Sequence, residues 1–165
     1  MDDGLLQIFP TPITVTKYKG SLTKELKYIN TLEYIKQKDN GNLQSKDVYL
    51  LKHKEFKNIK DFINKCIDKF TKNIYQSDQK LIVTQCWLNK NPKGSNHHRH
   101  CHPNSIISGV FYFKQNPKLP PIQFSTNTSD EERISMSFNT FSINVLGLEN
   151  DLTELNIQKL IDENI

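Results

Sequence analysis

The chain has 165 residues, a formal net charge of +4, 36% hydrophobic and 24% charged residues, and a mean hydropathy of −0.61. That is the length of one domain, with enough chain to bury a core without disulfide staples. No apolar run approaches the roughly 18 residues of a membrane span, and the lysines are scattered among acids with no block of like charge, which argues against a nucleic-acid partner.

Three cysteines, Cys66, Cys86 and Cys101, are an odd and sparse set, so reduced thiols and a cytoplasmic setting are expected. The acidic start Met1-Asp2-Asp3-Gly4 is unlike the basic start of a secretory or transit leader. The chain contains no alanine and two arginines, Arg99 and Arg133. Such a bias reflects a nucleotide preference in the coding sequence, and an arginine that persists against it marks a place where the planar guanidinium fork is needed.

In chain order, residues 5–18 are β-branched and interrupted by Pro10 and Pro12, which predicts one or two edge strands, because proline cannot donate into a central ladder. Ser21 is placed to cap a helix running to about residue 36, with Leu22, Leu26, Ile29, Leu32 and Ile35 as its apolar stripe. Residues 39–42 form a loop. A longer helix is predicted over 55–75, with Phe56, Ile59, Ile63, Cys66, Ile67, Phe70 and Ile74 on one face; Cys66 there is expected to be a core residue.

From residue 81 the period changes to two. Strands are predicted over 81–89, 105–114 and 133–143, with a shorter one around Ile122–Ser125 after the proline-rich turn at 116–121. Residues 151–165 can form a short amphipathic helix through Leu152, Leu155 and Leu160, whose face could pack against a second copy. Two helices on a mostly antiparallel sheet is the expected architecture.

Two constellations carry chemistry. Four of the five histidines, His97, His98, His100 and His102, fall within six positions. In an extended segment His98, His100 and His102 share one side and Arg99 and Cys101 the other. Neighbouring imidazoles on one side can grip a divalent ion of the Zn, Cu, Fe or Ni type; the alternative is a solvated histidine-rich loop. A zinc site using Cys101 is disfavoured, since Cys101 faces away from His100 and His102. The second constellation alternates Ile134, Met136 and Phe138 with Arg133, Ser135, Ser137 and Asn139. An arginine and a serine two apart on one strand face can hold a carboxylate through a bidentate fork and a hydroxyl donor. The same pattern also suits an amphipathic strand with its polar side in water.

Taken with Ile8-Phe9-Pro10-Thr11-Pro12-Ile13, Trp87-Leu88-Asn89 and Pro92-Lys93-Gly94, the runs His100-Cys101-His102-Pro103-Asn104-Ser105, Ser108-Gly109-Val110-Phe111-Tyr112 and Arg133–Asn139 resemble the iron(II)/2-oxoglutarate-dependent oxygenase superfamily. More narrowly, they are similar to a small branch of oxygenases frequent in phages and bacteria. The resemblance implies a double-stranded β-helix, that is a cupin-like jelly roll, mainly β with flanking helices. Residues 1–80 would be an N-terminal strand and two supporting helices, 81–148 the barrel strands and 149–165 a C-terminal tail.

The resemblance also implies Fe(II) and 2-oxoglutarate. His100 matches the first metal ligand, and His102 the position that elsewhere is usually a carboxylate. Arg133 and Ser135 match the pair that binds the far carboxylate of 2-oxoglutarate. Asn89 and Tyr112 are candidates for lining the pocket, Trp87 is expected in the core, and His98 either supports the ligands or is solvated. Decarboxylation of the co-substrate would supply an oxidant able to hydroxylate an unactivated C–H bond of an unidentified substrate.

One departure stands out. The family has a distal histidine between the two motifs, and no histidine lies between His102 and Arg133. Either a stretch near 124–130 is omitted from the sequence as read, which the family-like flanks favour, or the chain is a non-catalytic jelly-roll relative that has lost its third ligand.

Overall fold

The computed structural model describes residues 11–38, 41–96, 100–114, 116 and 127–143. In chain order the elements are α1 (Thr23–Ile29), β1 (Tyr34–Lys36), β2 (Leu43–Ser45), two 3₁₀ turns (Leu50–Lys52 and Lys54–Phe56), α2 (Lys57–Ile74), β3 (Leu81–Asn91), β4 (Ser108–Lys114) and β5 (Arg133–Ser142). The strands form one antiparallel sheet in the order β1-β2-β3-β5-β4. The sheet is open, so the expected helices on a mostly antiparallel sheet are present, while a closed second sheet is not seen among the described residues.

α2 forms where the apolar period demands it. Ile59, Ile63 and Ile67 are buried at successive turns, and Phe56 leads into them fully buried. Cys66, expected in the core, is only half-buried, and Ile74 is 40% exposed, so the stripe is narrower than its sequence suggests. The stripe packs with Cys86 and Leu88 of β3, Phe111 and Phe113 of β4, and Ile134, Met136 and Phe138 of β5 in one core cluster. Burial of each large side chain is worth about 1.5–3 kcal/mol. Tyr18 closes the rim, edge-on to Phe62 and Phe111 at 5.1 and 5.7 Å.

The first predicted helix is cut short. α1 ends at Ile29, and Tyr34–Lys36 pair instead with Leu43–Ser45 around the 39–42 connection. Hydrogen bonds from Thr31 Oγ1 to the Tyr28 carbonyl (2.8 Å) and from Tyr34 OH to the Ile29 carbonyl (2.8 Å) occupy the helix-terminal acceptors. Cross-strand pairing outweighs a helical stripe when the residues are as β-prone as Tyr34 and Ile35. Ser21 does not cap in the expected way: Leu22 occupies the cap position, with the Ser21 hydroxyl 3.4 Å from the Thr23 amide.

Within residues 11–18 the expected edge strands do not form. Residues 5–10, the strand around 122–125 and the 151–165 helix lie outside the described residues. Among those described, no helix is long and apolar enough to cross a membrane.

β5 lies between β3 and β4 and is buried along almost its whole length. Its neighbours fix the register: Asn89 and Tyr112 both oppose Ser135, Trp87 and Val110 both oppose Ser137, and Asn91 opposes Arg133. Opposed residues share a face. One side of the sheet therefore carries the apolar core against α2, and the other carries Trp87, Asn89, Asn91, Tyr112, Arg133, Ser135, Ser137 and Asn139.

Candidate functional site

The second face is polar yet buried. Asn89, Asn91, Arg133, Ser135 and Asn139 are each between 0% and 7% exposed. The alternation seen in the sequence is therefore real, and its polar side does not face water. Burying that much polarity is unfavourable unless the groups are paired or kept for a ligand.

The loop carrying the histidines is fastened to β5 through Thr140, which is fully buried. Its hydroxyl donates to the Ile107 carbonyl (2.9 Å) and accepts from the Ile107 amide (3.0 Å), while the Ile106 amide donates to the Thr140 carbonyl (2.9 Å). Asn104 makes the preceding turn at φ +57°, a conformation asparagine tolerates better than most residues. This fastening sets His102 beside Asn139, whose Oδ1 accepts from His102 Nδ1–H at 2.6 Å. The His102 ring stacks on Trp87, centroids 5.6 Å apart and planes at 19°. Trp87, expected in the core, is thus half-buried on the polar face.

With Nδ1 donating, His102 Nε2 presents its lone pair. It lies 3.0 Å from Nε2 of His100, so the two rings share one side, as the alternation predicts. Cys101 is exposed, and His98 lies outside the described residues. Two nitrogens bound to one cation at about 2.1 Å and at right angles would stand about 3.0 Å apart. In the structure this contact is a hydrogen bond between the two rings; its length equals the separation of two adjacent positions on such an ion, and the donor set suits a borderline metal. Among the described residues no group of three or more His, Cys, Asp or Glu converges on one point.

At the other end of the face, Arg133 and Ser135 are buried on β5, with Asn91 and Asn89 opposite them on β3. Asn89 Nδ2 donates to Ser137 Oγ at 3.3 Å. Burial holds the Tyr112 phenol above its usual pKa, against the smaller opposing pull of the Arg133 guanidinium, so Tyr112 stays a hydroxyl donor at neutral pH. Arg133 and Ser137 are four residues apart, about 13 Å at strand rise, which separates the guanidinium end of this face from the imidazole end.

Residues 85–128 match a family described as "Putative 2OG-Fe(II) oxygenase". The matched stretch contains Asn89, His100, His102 and Tyr112 and stops short of Arg133 and Ser135. Over it the chain is similar to that family. None of the curated proteins matches the chain significantly.

Two residues that the sequence did not single out shape the site. Asn127, 1% exposed, donates through Nδ2 to the carbonyls of Asn91 (2.7 Å) and Glu131 (3.0 Å). Its own backbone pairs with Gly94 and Ser95 at 2.8 and 2.7 Å. It therefore ties the turn after β3 to the approach to β5. Asn91 is the other. The only signal for either was an asparagine beside a turn, which is common in any loop.

Proposed function

We propose that the chain is an Fe(II)/2-oxoglutarate-dependent dioxygenase that hydroxylates a substrate yet to be identified. The observation that carries this reading is one shared side of one sheet, with an exposed His100 beside a half-buried His102 at one end and the buried Arg133 and Ser135 at the other. The oxygenase match over residues 85–128 supports it independently.

His100 and His102 would hold the metal through Nε2, and Arg133 with Ser135 would hold the far carboxylate of 2-oxoglutarate by fork and hydroxyl. The metal with its co-substrate would supply the oxidising chemistry when bound. The residues of this chain do the rest. Asn139 fixes the tautomer and orientation of His102, and Trp87 holds the ring flat. Arg133 and Ser135 orient the co-substrate, Tyr112 and Asn89 line the path between the two ends, and burial around Asn89, Arg133 and Ser135 limits water there. A jelly roll, with a second sheet facing this polar layer, is the fold that accounts best for its burial.

A second reading keeps the fold without turnover. It is favoured by the histidine inventory, since outside residues 97–102 the chain has only His53. That ring is engaged elsewhere, between Tyr28 OH (2.6 Å) and the Asp47 carboxylate (2.7 Å). The two readings separate in one assay. With Fe(II), 2-oxoglutarate and ascorbate, the enzyme releases succinate, and His100→Ala and Arg133→Ala abolish the release. A folded chain giving no succinate favours the non-catalytic module instead.

A further inference from the structure

Asn91 is fully buried, and neither Nδ2 nor Oδ1 of its side chain has a hydrogen-bond partner. A buried amide that loses its water on both atoms and gains nothing destabilises the fold, and native proteins keep few of them. The strand does not need this side chain, because the Asn91 carbonyl is already held by Asn127 Nδ2 at 2.7 Å. Nor is it isolated. It opposes Arg133, and Asn89, one row along and opposite Ser135, has its Oδ1 unpartnered as well. Asn42, which precedes Leu43 and so falls level with Asn91, also has an unpartnered Oδ1 and is 1% exposed.

The geometry points to Asn91 as a further recognition residue for the ligand carboxylate that Arg133 and Ser135 would hold, an inference that rests on the proposed co-substrate site. A carboxylate offers about four lone-pair positions. A guanidinium fork fills two and a serine hydroxyl a third. The Asn91 amide supplies a neutral N–H for the fourth. An uncharged donor at this place favours a carboxylate without adding charge, so it sharpens selection for 2-oxoglutarate over ligands lacking a terminal carboxylate.

The test compares Asn91→Leu and Asn91→Asp with the wild-type full chain. Each is loaded with Co(II) and titrated with 2-oxoglutarate by calorimetry and by fluorescence of Trp87, the single tryptophan, which lies on the same face. Asn91→Leu is expected to weaken 2-oxoglutarate binding about tenfold or more, with Tm unchanged or raised and Co(II) affinity unchanged. Asn91→Asp, which keeps the shape but places a negative charge beside the carboxylate, is expected to weaken binding at least as much. Wild-type affinity in either variant, or a lowered Tm for Asn91→Leu, overturns the inference and leaves the co-substrate site standing. Absence of 2-oxoglutarate binding by the wild-type chain overturns both.

Discussion

His102 and Asn139, 37 residues apart in sequence, meet through a 2.6 Å hydrogen bond from the imidazole Nδ1 to the amide Oδ1. The contact joins the histidine loop to the same strand that carries Arg133, and it leaves Nε2 of His102 aimed at Nε2 of His100. A partner of this kind sets the tautomer and orientation of the ring.

Replacing Asn139 by leucine removes the acceptor while keeping the volume. Co(II) affinity, read by calorimetry, is expected to fall about 10–100-fold, whereas Asn139→Asp retains an acceptor and binds at least as tightly as the wild type. Equal affinity in all three chains would detach this hydrogen bond from metal binding.

Arg133→Lys keeps the charge and loses the fork. If a bidentate contact holds the ligand, 2-oxoglutarate affinity drops about tenfold or more, with Co(II) binding intact. A lysine variant that binds normally would mean that charge alone suffices at this position.

Gly109 opposes Phe138 across β4 and β5, and a Cβ placed on it would overlap the Phe138 ring. Gly109→Ala is expected to cost about 1–3 kcal/mol by chemical denaturation, as overpacked cores do. Adding Phe138→Leu should recover part of that loss, a coupling that a double-mutant cycle measures directly.

Burial, with a smaller contribution from Glu132, raises the Tyr34 hydroxyl well above its usual pKa. The folded state thus favours the neutral phenol more than the unfolded chain does. The corresponding stability is fully present below about pH 10, the unfolded value, and is lost as pH rises through the folded value. Denaturation midpoints measured from pH 8 to 11 should fall above pH 10 in the wild type and less steeply in Tyr34→Phe. That variant also starts about 1 kcal/mol lower because it lacks the bond to the Ile29 carbonyl.

Much of this arrangement is legible in the residues themselves. The i, i+4 stripe Ile59-Ile63-Ile67 specifies α2, since only a helix brings those side chains to one surface. The strict alternation over residues 133–139 specifies β5 and both of its faces. The early end of α1 is not legible, because Leu32 and Ile35 continue the helical spacing and only the partner strand at Leu43–Ser45 diverts Tyr34–Lys36 into the sheet. Trp87 reads as core by its type, and its stacking on His102 depends on a loop 15 residues away that Thr140 anchors.

Alternation and residue chemistry by themselves determined that histidines would share a side and that Arg133 would stand with Ser135, because side-chain direction along a strand is a local property of the backbone. The three-dimensional arrangement alone decided that this polar side is enclosed, that Asn139 grips His102, and that Asn91 lies opposite Arg133 without a partner of its own. Those facts depend on which strands become neighbours and in what register, and pairing between distant segments is settled by the burial of the whole sheet.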